Sequence, residues 1–355
     1  MRPPALLLLY NEPVLPIDHP DANSEHDILE TAEDAYQVLV QAGFAVQKLG
    51  IHYNPQPLLD VIRQQKPDAV FNLFEGLATQ TGTEVGAAAL LEWLNIPFTG
   101  CPSACLTFGR DKVRTKHLLA AAGIPTPEYM VIDGLPVPSW KGGWPAIVKP
   151  AFQDASVGID QESVVTSQKQ LAERAAYVLE RYGAPVLVEQ FIFGREFHVN
   201  IIEERTSANR RTLRVLPITE VAFLDADKTL WPVYTFKAKW HEHSEEFAKA
   251  DIRTAITLPP ELHSALEPIA QKAYHTLQCR DYARLDVRLD ARGQFYVLEV
   301  NPNPYLNSIT LVDGLKAIGR SYEWWVVEMA LAALDRGGID VPEGVLRIPP
   351  SVTSV

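Results

Sequence analysis

RLDVRLDARGQFYVLEVNPNPYLNSIT, residues 284–310, alternates apolar and charged side chains, breaks at a turn and resumes as a strongly apolar run. Leu285, Val287 and Leu289 alternate with Arg284, Asp286, Arg288 and Asp290, the period of a strand with one buried face. Asp290-Ala291-Arg292-Gly293 supplies a turn, and Phe295, Tyr296, Val297, Leu298 and Val300 supply the returning strand. Asp286 and Glu299 then lie on opposite arms of one hairpin. Asn301 stands two residues beyond Glu299 and so shares its face. Two carboxylates and an amide oxygen at one spot form a hard, all-oxygen set suited to Mg²⁺ bridging phosphates. A lone carboxylate in a strand is more often a solvated surface group. Glu299, however, is embedded in Val-Leu-Glu-Val, where an unpaired charge is costly, and the prolines of 301–304 fix the chain as it leaves the strand.

The whole chain sets bounds on this reading. Its 355 residues suffice for two or three packed lobes, and 47% hydrophobic with 21% charged residues fits a globular protein. A net charge of −12 argues against general nucleic-acid binding, which needs a basic surface. Cys101, Cys105 and Cys279 show no zinc-site spacing and no even disulfide set, and are read as reduced thiols of a cytoplasmic protein. The apolar run Ala5–Leu9 is too short for a signal peptide or a membrane span and is read as a first buried strand.

Outward from the hairpin, the N-terminal hundred residues predict strands at 5–10, 44–49 and 69–73, with helices at about 25–42 and 58–65 between them. That order implies a small parallel α/β lobe. A Gly/Thr-rich loop at 75–84, a helix at 85–94 and a strand at 96–100 follow. A basic helix is predicted over 110–122, strands at 144–149 and 185–191 flank a helix at 171–182, and a polar loop spans 151–158. Strands at 196–203 and 213–218 and helices at 262–277 and 322–334 surround the hairpin. The aromatic and charged stretch 231–246 reads as a long loop able to close over a site. The division predicted is 1–100, 101–188, 189–336 and a Pro-rich, loosely attached tail at 337–355.

The segments RLD and LEVNPNP resemble the Mg²⁺-binding core of ATP-grasp enzymes, more narrowly the D-alanine–D-alanine ligase branch, and the resemblance extends over about residues 5–334. It implies an α/β protein of the ATP-grasp fold: an N-terminal parallel α/β domain, a small central lobe and a C-terminal antiparallel-sheet lobe. It also implies ATP and Mg²⁺ as cofactors, two ions with Mn²⁺ as a substitute. Small-molecule carboxylate and amine substrates are implied as well, and frequent homodimers, with no membrane partner.

Residue by residue, the resemblance assigns Asp286, Glu299 and Asn301 to metal and Arg284 to the oxyanion formed during ligation. Lys149, in Ile-Val-Lys-Pro, and Lys112, in Arg-Asp-Lys-Val, match lysines that contact ATP phosphates; by themselves they read equally well as surface lysines. Ser156 and Gly158 match the phosphate loop, where backbone N–H groups can cradle an anion. Glu189, Phe191, Ile192 and Glu196 fall in the adenine and ribose segment, and Lys239 matches a lysine reaching over the phosphates. Glu25 matches a glutamate that holds a substrate ammonium, although a helix-terminal acid reads equally as a dipole partner. Thr310 keeps a hydroxyl where the family binds a substrate carboxylate.

The nucleotide half follows the pattern and the substrate half departs from it. Glu75 replaces a histidine beside the first substrate, Trp240 a tyrosine, and Ala155 that tyrosine's serine partner. Asp154 replaces a phosphate-loop glycine, an acid that repels phosphate unless a cation meets it. Pro304-Tyr305-Leu306-Asn307 stands for Pro-Gly-Met-Thr, and Tyr-Asn-Glu-Pro for a glycine-rich N-terminal signature. The reading is therefore an ATP-dependent carboxylate–amine ligase acting through an acyl phosphate on amino acids or related molecules. The alternatives are D-alanine–D-alanine ligation itself and a non-catalytic ATP-binding module.

Overall fold

The computed structural model describes residues 2–17, 19, 22–205, 210–224, 230–342 and 345. The N-terminal lobe runs β1 (Ala5–Asn11), α1 (Ala22–Gln41), β2 (Ala45–Ile51), α2 (Gln56–Gln65), β3 (Ala69–Leu73) and α3 (Thr83–Trp93). Its three strands form a parallel sheet in the order β2-β1-β3, as the alternating pattern implies. β1 is apolar throughout because both of its faces are covered: Leu7 and Leu9 enter one core, Leu6 and Leu8 the other. Residues 96–100 do not make a further strand. Phe98 forms only an isolated bridge to Val70, since Pro97 lends a carbonyl but has no N–H to give.

The basic helix predicted over 110–122 is α5 (Lys112–Ala121), and a further helix, α4 (Ser103–Arg110), directly precedes it. Asp111 breaks them apart by adopting an extended backbone and capping α5 through the Arg114 N–H at 3.0 Å. α4 was not legible because Gly109 sits inside it. That glycine is demanded by packing, as a Cβ there would lie 2.4 Å from the Pro302 ring.

A four-stranded antiparallel sheet follows, β4 (Tyr129–Ile132), β5 (Ala146–Pro150), β6 (Val164–Val165) and β7 (Val186–Gln190), in the order β4-β7-β5-β6. Helix α6 (Gln168–Tyr182) covers one face through Leu171, Ala175 and Val178.

The largest sheet is antiparallel. It contains β8 (Arg195–Arg205), β9 (Arg211–Val215), β10 (Ile218–Phe223), β11 (Ala250–Ile256), β12 (Tyr282–Leu289) and β13 (Phe295–Pro302). Its order is β11-β10-β8-β12-β13, with β9 paired to β8. The single strand expected at 213–218 is divided at Leu216-Pro217 into β9 and β10. The stretch 231–246 carries two short helices, α7 (Phe236–Trp240) and α8 (Glu245–Lys249), capped by Thr235 and Ser244. α9 (Pro260–Thr276), α10 (Ile309–Ala317) and α11 (Tyr322–Arg336) complete the chain. Ile339, Val341 and Val345 of the expected loose tail pack on the core around α1 and α11. Residues 343–344 and 346–355 of that tail lie outside the described residues. No helix among the described residues is long and apolar enough to cross a membrane.

Candidate active site

The floor of the site is a polar patch three strands wide. Asp286 pairs in register with Glu299, and Arg284 with Asn301, across β12 and β13. On the other side of β12, Arg284 faces Asn200, Asp286 faces His198 and Arg288 faces Glu196 on β8. Period-two alternation puts all of these on one face, while Leu285, Val287 and Val199 fill the core beneath. Arg284 clasps Asp286 through two bonds of 2.8 and 3.0 Å. Burial would raise the Asp286 carboxyl, but Arg284 and a bond from Glu299 hold it below the usual carboxylate range. His198 lies 3.8 Å from Asp286 and is kept neutral by burial and by the charges of Arg284 and Lys239.

A cleft opens above this floor, between the four-stranded and the six-stranded sheets. Lys112, Lys149, Ser156, Glu189, Phe191, Ile192, Glu196, Lys239, Asp286 and Glu299 all line it. Arg284 and Asn301 lie next to it on the same floor, two residues further along each strand. Lys112 Nζ donates to the Gln153 carbonyl at 2.5 Å and stands 3.6 Å from both Glu299 and Asp154. Lys239 lies over the Tyr234 ring; burial, with Arg284 adding, lowers its ammonium from the ordinary lysine range.

The phosphate loop is held in a turned conformation. Ala155 and Ser156 have φ of 51° and 64°, and Gly158 has 77°. The stretch 231–246 closes over it: Ser156 Oγ donates to the Tyr234 carbonyl at 2.8 Å, Trp240 Nε1 to the Ala155 carbonyl at 3.3 Å, and Phe236 N to the Ile159 carbonyl at 3.1 Å. Trp240 therefore reaches Ala155 through the backbone, with no hydroxyl partner required. Asp154 meets its cation in Arg110, 2.9 Å away.

Two acids of the adenine and ribose segment are occupied by the protein. Glu189 is 1% exposed and clamped between Lys116 at 2.5 Å and Lys149 at 2.6 Å. Burial alone would raise it, and the two lysines hold it below the ordinary range. Glu196 takes two bonds from Arg288, of 2.6 and 3.0 Å, and Arg288 also donates to the Ile192 carbonyl at 2.7 Å and to that of Pro232. The Arg288 guanidinium lies 4.7 Å over Phe191, so Phe191 is both lining and packing.

The four residues assigned to the substrate end, Glu25, Glu75, Tyr305 and Thr310, are not brought into this cleft. Glu25 accepts from the N–H groups of Val14 at 2.9 Å, Leu15 at 2.8 Å and Ala78 at 3.2 Å, and so fastens two N-terminal loops. Tyr305 turns its hydroxyl onto α1, accepting from Thr31 at 2.7 Å and donating to the Asp27 carbonyl at 3.1 Å. That is how a side chain is accommodated where the family has glycine. Thr310 is buried beside Asn200, 3.3 Å away. Glu75 donates its N–H to Asn11 and accepts Arg110 on its carbonyl at 3.1 Å. Burial, with the Glu84 charge adding, pushes its carboxyl up to about 7.

Lys116, His198, Arg288 and Arg110 are the site residues that reasoning on the sequence passed over. Two signals were present: Lys116 follows Lys112 by four, one helical face, and His198 follows Glu196 by two, one strand face. Arg288, two residues beyond Asp286, repeats that strand-face signal, whereas Arg110 had none, because its partners Glu84 and Asp154 are far off in the chain.

The fold and this cleft define an ATP-grasp enzyme. Residues 118–330 match the family model described as D-ala D-ala ligase C-terminus, and the chain belongs to that family. It is 32% identical to D-alanine–D-alanine ligase B of Chromobacterium violaceum over 283 residues, 78% of this chain and 82% of that protein. It is also 32% identical to the D-alanine–D-alanine ligase of Alcanivorax borkumensis over 76% of this chain and 78% of that one. An uncharacterized protein, y4sG of Sinorhizobium fredii, is 31% identical over 67% of this chain and 66% of its own. A crystal structure of the Bacillus anthracis D-alanine–D-alanine ligase complexed with ATP superposes with a TM-score of 0.68 at 20% identity, covering 94% of this chain and 97% of that one. The chain is thus an ATP-dependent ligase that forms a carbon–nitrogen bond, and the ATP-grasp architecture expected from residues 284–310 is the one found.

Proposed function

We propose that the cleft binds Mg·ATP and activates a small carboxylate for attack by an amine, on amino acids or related molecules. The observation that carries this is the register of β8, β12 and β13, which sets Arg284, Asp286, Glu299 and Asn301 on one face beside Lys112, Lys149 and Lys239. The donor set suits the metal: two carboxylates directly opposite each other, and Asn301, whose buried amide nitrogen has no hydrogen-bond partner among the described residues. Rotating that amide presents its oxygen instead. Asp286, Glu299 and Asn301 would hold Mg²⁺, which when bound offsets phosphate charge.

The chain's own groups supply the rest. Lys112, Lys149 and Lys239 surround the phosphates, and the turned backbone of 153–158 presents N–H groups to them. A substrate carboxylate oxygen attacks the γ-phosphorus, the bond to the β–γ bridging oxygen breaks, and ADP leaves. The amine nitrogen then attacks the acyl carbon, loses a proton, and phosphate departs with the bonding pair. Arg284 stabilises the intervening oxyanion. The cover at 231–246 excludes water that would hydrolyse the acyl phosphate. The cytoplasm, which supplies ATP and keeps thiols such as Cys101, Cys105 and Cys279 reduced, suits this activity.

The relatives' printed activity favours a second reading, D-alanine as both acid and amine. Glu75, Trp240 and Tyr305, each differently engaged here, support other substrates. The test is phosphate release with Mg·ATP over single and paired D- and L-amino acids, with products identified by mass. Release that needs a particular pair and vanishes in an Asp286→Ala/Glu299→Ala variant establishes the ligase and names its substrates. Efficient dimerisation of D-alanine alone overturns the reading of a rebuilt substrate end.

A further inference from the structure

Cys101, Cys105 and Cys279 show no metal-binding pattern in the sequence, yet the fold gathers all three. Cys101 lies just before α4, Cys105 follows one turn later, and Cys279 lies between α9 and β12. Their sulfurs all lie within 4.8 Å of one another, with Cys105 and Cys279 3.6 Å apart, and all three are buried. Zinc–thiolate bonds of about 2.3 Å in tetrahedral geometry place sulfurs roughly 3.8 Å apart, so this spacing needs little adjustment. Cys101 Sγ accepts the Arg280 backbone N–H at 3.3 Å, and as a thiol it also reaches the carbonyls of Arg280 at 3.4 Å and Tyr282 at 3.7 Å, bonds it gives up on binding a cation.

The charge around the cluster is an independent pointer. Arg280, half-buried beside it, donates only to the carbonyls of Gly100 at 2.6 Å and Phe98 at 3.2 Å and lies over the Phe98 ring. It makes no ion pair among the described residues, because the neighbouring carboxylate, Asp281, is taken by Arg336 at 2.7 Å. Three thiolates around a divalent cation carry one net negative charge, which would add to the fields of Asp281 and Glu92 in offsetting the half-buried Arg280 guanidinium.

We propose that Cys101, Cys105 and Cys279 form a three-thiolate site for one thiophilic divalent cation of the zinc class. Binding releases a proton from each thiol that is protonated beforehand, and no oxidant takes part. The ion joins the entrance of α4 to the entrance of β12, the strand that bears Arg284 and Asp286. It is a staple, chemically distinct from the oxygen set at Asp286, Glu299 and Asn301, since soft sulfur selects zinc-class ions and hard oxygen selects Mg²⁺.

The full chain is refolded under reducing conditions with Cd²⁺ or Co²⁺ as probe and passed through gel filtration. One retained ion per chain, with ultraviolet thiolate-to-metal charge transfer and tetrahedral Co²⁺ bands, is the expected result. A Cys105→Ser/Cys279→Ser variant should lose both ion and band, and an Asp286→Asn variant should keep them, which separates this site from the cleft. The wild-type chain alone keeps the proposal falsifiable if the cysteine variant fails to fold. Its thermal midpoint should rise on refolding with Zn²⁺ and fall back when a chelator is present during refolding. Refolded wild-type protein with no retained ion and no charge-transfer band overturns the proposal. So does a purified chain two hydrogens lighter than its sequence, which would mark a disulfide.

Discussion

Glu189→Gln tests the central electrostatic feature of the cleft. Glu189 and Lys116 are each 1% exposed, and their charged atoms are 2.5 Å apart. At an effective dielectric of about 20, unit charges at that separation attract by about 7 kcal/mol, much of which is offset by desolvation. Removing one member of such a pair leaves a buried charge uncompensated and costs about 3–5 kcal/mol. Lys116 keeps only the Thr126 hydroxyl at 2.8 Å and the Val297 carbonyl at 3.2 Å, neither of which neutralises an ammonium. Glu189→Gln should therefore lower the unfolding free energy by about 3 kcal/mol or more, read from urea midpoints at constant slope. Adding Lys116→Met should restore part of that loss, so that the double variant is less destabilised than the sum of the singles. The acid limb follows from linkage. A carboxyl depressed in the folded state contributes stability above its unfolded value of about 4.3, and loses it as pH falls through the folded value. Wild type should thus lose more stability than Glu189→Gln on acidification below about pH 4. A single variant within about 0.5 kcal/mol of wild type, or strictly additive effects, refutes the reasoning.

Glu299→Gln should reduce ATP turnover on the order of 10²-fold or more while leaving the urea midpoint close to wild type, because Glu299 is half-buried and its nearest cation, Lys112, is 3.6 Å off. Unchanged turnover would remove Glu299 from the metal set. Trp240→Ala breaks the bond to the Ala155 carbonyl, a group worth roughly 0.5–1.5 kcal/mol, and should raise KM for ATP by up to about tenfold; an unaltered KM would mean that Trp240 does not hold the cover. Glu75, raised to about 7 in the fold, contributes stability that is present below its unfolded value of about 4.3 and is lost as pH rises through 7. Glu75→Gln should accordingly show a shallower fall in stability between pH 5 and pH 8, and parallel profiles would contradict the raised carboxyl.

The hairpin was readable because its information is local: alternation from Leu285 to Leu289, a turn at 290–293 and a carboxylate inside an apolar run. The parallel lobe was readable for a similar reason, its strands being separated by amphipathic helices of ordinary length. What escaped was set by distant contact. α4 holds a glycine because Pro302 crosses it, and nothing within eight residues announces that. Pro97 and Pro217 each cancel a ladder hydrogen bond and so turn an apolar run into a bridge or a strand break. The lysines of the cleft were found, but the partners of the acids were not. Glu189 and Glu196 are assigned to the adenine and ribose segment, and the structure gives each a cation as well, Lys116 and Arg288. Charge pairing across 92 residues leaves no periodic trace in sequence.

Arg110 grips Asp154 of the phosphate loop at 2.9 Å, Glu84 at 2.6 Å and the Glu75 carbonyl at 3.1 Å. One guanidinium fork is thereby shared between the turned loop at 153–158 and the loop that bears Glu75. Whatever pulls Asp154 away from it changes the field at Glu75, and whatever occupies Glu75 alters the grip on Asp154. Any coupling carried this way is equal in both directions, since linkage makes the factor by which one ligand changes affinity for a second the factor by which the second changes affinity for the first. Arg110 is thus the side chain through which a change at Asp154 is expected to be felt at Glu75, and the reverse.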